Sequence, residues 1–227
     1  MDKLNFFDFI AYVVPGGTFL FVLVVFLQLN FPGFNQWFNV DATYTILPFL
    51  IFSYLIGHVF NSLGKIMEDF FYKDIPIIDY FKSEKKSAER LIVLADLVFG
   101  YKLVKEGKDF NKGYLKLFYS RVCDYLEVNE KDAKITTLSS QRLFFRNSSV
   151  MFIITALLIL ILYTAIYLGM DCLRNHLPVY HFVFVISLIS IYPSFYYSRQ
   201  KFLLIIRFTF RNFMALHPRG KDDQLNK

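Results

Sequence analysis

The chain has 227 residues, of which 55% are apolar, 19% aromatic and only 19% charged, with a net charge of +6. A soluble domain of this length can bury a good core, but it has no use for several uninterrupted apolar runs long enough to cross a membrane. The composition therefore excludes an ordinary water-soluble globule, and the excess of basic residues asks which side of a membrane they occupy.

The first run, Phe9 to Leu29, contains the stretch FIAYVVPGGTFLF, with Pro15, Gly16 and Gly17 inside it. Proline has no amide hydrogen and glycine has no side chain, so a span that carries both frees a backbone carbonyl that must find a partner. The break is expected on a packed or pore-side face rather than against lipid. Alternatively the helix begins at Pro15, where proline suits the first turn. The opening MDKLNFFDF has no basic bias and no cleavage pattern follows, so the run reads as a retained helix and not a signal peptide.

Phe31, Phe34, Trp37 and Phe38 then suit an interfacial aromatic belt, with Pro32 and Gly33 at the turn. The second run, Tyr44 to Phe60, has Pro48 inside it and leads into SYLIGHVFNSLGK. Ser53, Gly57 and Asn61 recur every four residues, with Gly64 near the same line. Such a stripe lets helix backbones approach. Plain packing within one subunit is the leading reading; a subunit interface or pore lining is the other. His58 is placed within the span, where a neutral, hydrogen-bonded role is favoured over a functional one.

Between the second and third runs lies a basic insertion, 65–146, with two amphipathic helices, SEKKSAERLIVLADLVFG ending at Gly100 and YLKLFYSRVCDYLEV, separated by the turn-like KEGKDFNKG. Leu91, Leu94, Ala95 and Val98 share one side. The segment is small for a core of its own, so it is expected to pack in an assembly or against the membrane. The chain then reads as one long helix from about Glu130 into the third run, Val150 to Leu168. The last run, Val179 to Tyr196, has Ser187, Ser190 and Ser194 near one face and Pro193 at its end. It continues into a basic amphipathic helix, with Arg199, Arg207 and Arg211 opposite Phe202, Ile206, Phe210 and Phe213.

Lysine and arginine orient the chain. Sixteen of the 25 fall between Lys65 and Arg146 and seven from Arg199 onward, while the loops on the other side hold only Arg174. The positive-inside rule places the insertion and both termini in the cytoplasm. Cys123 and Cys172 then lie on opposite sides of the membrane, which forbids an intrachain disulfide, and two lone cysteines offer no metal framework. The expected fold is an all-α membrane protein of four transmembrane helices with a helical cytoplasmic insertion. Its parts are a first hairpin (9–64), the insertion (65–146), a second hairpin (147–196) and a basic helix and tail (197–227).

No catalytic, metal or nucleotide-binding signature appears, so neither an enzyme nor a cofactor is expected. Glu68 and Asp69 read as solvated surface. Arg142, Arg146, Arg199, Lys201, Arg207 and Arg211 gather near the inner mouth of the last two spans. Anionic headgroups account for such residues in most membrane proteins. The functional alternative is a basin for a phosphate-bearing ligand, with Ser139, Ser140, Gln141 and Asn147 as neutral donors and Phe144, Phe145, Phe208 and Phe210 as surfaces for stacking.

The features Asp8, Tyr12, Pro15 and Gly16 in the opening, Tyr54, Gly57 and His58 in the second span, and Arg142, Arg146 and Asn147 in RLFFRNS form a profile over most of the chain. It resembles small multi-pass proteins of bacterial anti-phage defence, the membrane effector of the Hailong system first and the membrane component of Kiwa second. That resemblance implies a homo-oligomer of the bacterial inner membrane, with a tetramer favoured. It would act as a channel controlled by single-stranded DNA or a nucleotide that a partner nucleotidyltransferase makes. A non-conducting scaffold or sensor that recruits a soluble partner, with Leu91 and Leu94 at the contact, is the alternative, and an enzyme acting on lipid a distant third.

Overall fold

The computed structural model describes residues 6–31, 42–71, 76–104, 111–129 and 133–217. Its helices are α1 (Phe6–Asn30), α2 (Ala42–Phe71), α3 (Pro76–Ser83), α4 (Lys85–Phe99), α5 (Lys112–Val128), α6 (Ala133–Tyr167) and, after a 3-10 turn at Asp171–His176, α7 (Leu177–Leu216). The aromatic belt at Phe34, Trp37 and Phe38, and most of the turn-like KEGKDFNKG, lie outside the described residues. Four of the helices, α1, α2, α6 and α7, are long and apolar enough to cross a membrane. α1 starts before Pro15 rather than at it, so the proline sits in the helix interior.

The chain divides into two compact units: 1–70 with 140–198, and 71–139 with 199–227. The sequence had set 65–146 and 197–227 apart. In the fold, the basic end of α7 joins the insertion.

In the first unit, α1 and α2 touch along their backbones. A Cβ added to Gly16 would lie 1.9 Å from the Ser53 carbonyl oxygen, and one added to Gly57 would lie 2.2 Å from the Tyr12 carbonyl oxygen. Each helix thus presents a glycine to a carbonyl of the other, close enough for Cα–H···O contacts. Gly64 plays the same part for α6, because a Cβ there would meet the Arg146 stem at 2.7 Å. Ser53, Gly57 and Gly64 are buried within the chain. Phe60, Val150 and Met151 fill the space beside this contact, and Phe26, Ile159, Leu173 and Tyr180 fill the opposite end of the unit.

The second unit has a core of its own, which corrects the expectation that the insertion needs an assembly or a membrane to pack against. Leu91, Leu94 and Ala95 of α4 and Leu115, Phe118 and Val122 of α5 close around Ile206, Phe210 and Phe213 of α7. The apolar face of α7's basic end is therefore spent on this core. α4 stops where Gly100 turns left-handed at φ 68°, and its N–H and that of Tyr101 bond back to Asp96 and Ala95. Glycine meets that backbone conformation without a steric penalty. Asn111 caps α5 by accepting from the Tyr114 N–H.

Candidate functional site

Helix α1 carries Pro15 in mid-span, so the Ala11 carbonyl has no amide four residues on to accept from. Asn147 of α6 supplies one: its Nδ2 donates to the Ala11 oxygen at 2.9 Å. A carbonyl only accepts, which fixes the orientation of the amide. Asn147, Ala11, Pro15 and Gly16 are all buried, so the break in α1 faces protein. Gly17 is half-buried beside Ser53.

One turn away, polar side chains from each of the long helices of the first unit meet. Glu68 of α2 accepts from Arg142 Nη2 at 2.6 Å and from Arg146 Nη1 at 3.1 Å through one carboxylate oxygen. Its other oxygen accepts from the Ser198 hydroxyl of α7 at 3.0 Å. Arg146 also donates to Asn61 Oδ1, and Ser140 of α6 donates to Asp8 of α1. One carboxylate, Glu68, thus answers both guanidiniums, while Asp8 is held by Ser140. The side chains of Glu68, Arg146 and Arg142 are 12%, 8% and 21% exposed, so Arg142 is the arginine that solvent reaches. Ion pairs in such surroundings are strong when complete and costly when one partner goes.

This geometry revises two expectations. Glu68 is not solvated surface but the acceptor that ties α2, α6 and α7 together; Asp8 is likewise engaged. Among the neutral donors, Ser140 and Asn147 serve α1 rather than the arginines. The other basic residues, Arg199, Lys201, Arg207 and Arg211, belong to the second unit. There Arg199 pairs with Asp79 at 2.9 Å and Arg207 lies 3.8 Å from Glu84, in both cases partly exposed and worth little individually. Lys201 is half-buried and Arg211 exposed. Phe208 carries the ammonium of Lys134 at 4.1 Å from its ring centre, so that face is occupied, and Phe210 is core.

His58 is exposed on α2, with its ring stacked on Tyr12 at 4.1 Å and edge-on to Tyr54. Among the described residues no side-chain hydrogen bond reaches the imidazole that was expected to be hydrogen-bonded; aromatic contact is what holds it. Leu91 and Leu94, the expected scaffold contacts, are 0% and 1% exposed and belong to the core.

The described residues contain no group of three or more His, Cys, Asp or Glu side chains placed to hold a metal. Compared with known proteins, the chain matches no family model, no curated protein and no solved structure.

Proposed function

We propose that the chain is a homo-oligomeric, channel-like effector of the bacterial inner membrane, controlled by an anionic cytoplasmic ligand, and not an enzyme. The observation that carries this reading is the sharing of Glu68 by Arg142, Arg146 and Ser198, which ties three helices through one carboxylate. A tie of this kind is open to competition. A phosphate-bearing ligand that reaches Arg142 offers the guanidinium a bidentate partner with more charge, where Glu68 meets it through one oxygen. With Arg142 drawn away, Glu68 holds α6 through Arg146 alone, and in the weakened tie the helices shift to let ions pass and the membrane potential collapse. The bias of lysine and arginine along the chain supports a cytoplasmic position for this site and for both termini.

The resemblance to anti-phage effectors supplies the setting: a tetramer, and single-stranded DNA or a nucleotide made by a partner nucleotidyltransferase as the ligand. Ion flux from liposomes containing the purified protein tests the reading, with and without short single-stranded DNA or cyclic oligonucleotides. Flux that a nucleotide switches on or off is expected. Tight liposomes under every ligand, from folded and inserted protein, would remove the channel.

A second reading, a scaffold that recruits a soluble protein, is favoured by one feature. Val93 and Leu97 are 60% and 44% exposed, one turn apart on α4 of the second unit. A scaffold loses its partner when Val93 becomes Asp and conducts no ions in either form.

A further inference from the structure

We infer that the anion taken by the Glu68 cluster is a phosphomonoester, one doubly charged phosphate group held by Arg142 and Lys65, with Arg146 kept out of the exchange. This rests on the anion-controlled reading proposed above and names the chemical class of the anion. Among the described residues of the first unit the basic side chains are Lys65, Arg142, Arg146 and, beyond the far end of α6, Arg174. Arg146 is built in. A Cβ on Gly64 would lie 2.7 Å from its Cγ and 3.1 Å from its Cδ, so its stem rests against α2 with no room for a side chain at residue 64. Its head donates to Glu68 at 3.1 Å and to Asn61 Oδ1, and the side chain is only 8% exposed. Arg142 meets the same Glu68 oxygen but is 21% exposed. Lys65 is exposed and stands three residues before Glu68, on a neighbouring part of the same α2 face. From water, this unit therefore offers one guanidinium and one ammonium, not two arginines.

Charge decides which phosphate. An anion that takes Arg142 must out-compete the Glu68 carboxylate, which is already in place and stays nearby to repel the newcomer. Arg146 and the Ser198 hydroxyl, on separate oxygens of Glu68, keep that carboxylate where it is when Arg142 turns away. A phosphodiester carries a single charge, no more than the carboxylate it would displace. A phosphomonoester carries about −1.5 to −2 at pH 7 and has three free oxygens, enough for a two-point contact with the guanidinium and one more with the Lys65 ammonium. Glu68 thus acts as the filter, turning singly charged anions away and yielding to doubly charged ones. The 5′-phosphate end of a nucleotide and the headgroup of phosphatidic acid share this chemistry.

Arginine modification by phenylglyoxal tests this on the whole chain in lipid nanodiscs, with each adduct located by mass spectrometry. Arg142 should react and Arg146 should be spared. Adenosine 5′-monophosphate should slow the Arg142 reaction several-fold, whereas the 3′,5′-cyclic monophosphate, a diester of the same nucleoside, should not at matched ionic strength. Exposed Arg211 reports any general screening. In a lipid arm, nanodiscs containing phosphatidic acid should protect Arg142 where those containing phosphatidylglycerol, a diester, do not. Protection in either arm supports the phosphomonoester, and the arm that shows it identifies the source as nucleotide or lipid. Lys65→Ala should weaken that protection several-fold. Monoester and diester protecting alike, no protection in either arm, equal protection at Arg211, indifference to Lys65→Ala, or Arg146 reacting as fast as Arg142 would overturn the inference. The adducts are counted without ion flux. Protection by a monoester in protein that never conducts keeps this site and removes the channel; flux switched by a nucleotide without such protection does the reverse.

Discussion

Asn147 of α6 donates to the Ala11 carbonyl of α1, the acceptor that Pro15 leaves without an amide four residues on. A proline in one helix and an asparagine in another, 132 residues apart in number, are thus two halves of a single arrangement. The proline creates a need for a donor in an apolar environment, and α6 meets it.

The first prediction is a coupling between those positions. Asn147→Ala leaves the Ala11 oxygen buried and unpaired, at a cost of about 1–3 kcal/mol. In a Pro15→Ala background the restored amide at residue 15 takes that oxygen, so Asn147→Ala should cost clearly less. A double-mutant cycle on thermal unfolding in detergent measures the difference. Equal costs in both backgrounds would mean that Asn147 acts elsewhere.

Glycine substitutions at the α1–α2 contact should divide sharply. Gly16→Ala and Gly57→Ala each drive a methyl group to within 1.9 and 2.2 Å of backbone oxygen, which no rotamer change relieves. Overpacking of this kind costs on the order of 1–3 kcal/mol or more. Gly17→Ala meets side chains alone, Ser53 at 3.2 Å and Phe49 at 3.6 Å, and should melt close to the parent protein.

The second unit should lose its fold through residues the scaffold reading would have placed on its surface. Leu94→Asp puts a carboxylate into the core beside α5 and α7, and limited proteolysis should then cut the insertion rapidly. Val93→Asp, one residue away and exposed, should leave the protease pattern unchanged.

Cys123 should be a slow thiol. Burial pushes its pKa up, with the Tyr119 and Thr209 hydrogen bonds opposing only in part. A raised pKa means less thiolate at a given pH, so alkylation of the folded protein at pH 7–8 should lag that of the denatured chain and climb only at more alkaline pH. Equal rates before and after unfolding would contradict the burial of that side chain.

The architecture was legible because it depends on composition. Runs without charge, a small-residue stripe at spacings of four and the alternation of arginine with phenylalanine along α7 are all local patterns. Gly100 ended α4 as its type and position suggested. The ion-pair cluster was not legible, because Glu68 lies far along the chain from Arg142 and Arg146, and adjacent Asp69 made it look like one more surface carboxylate. A signal did exist: SLGKIMED follows the stripe without a break, so α2 was free to continue past its apolar run and carry Glu68 to the level of the arginines. The partnership of the insertion with the end of α7 was hidden for a similar reason. An apolar helical face beside basic residues reads equally well as membrane-facing or as core, and only the fold chooses.

The Glu68 tie is the centre of the account, and ion flux through the Glu68→Gln protein in liposomes tests it most directly. Glutamine keeps the size of the side chain but removes the charge that holds Arg142 and Arg146. The variant, shown by its melting curve to be folded, should leak ions without any ligand, and Arg142→Ala should leak less than it does. Liposomes as tight as those of the parent protein, from folded Glu68→Gln, would contradict a helix arrangement controlled at this carboxylate.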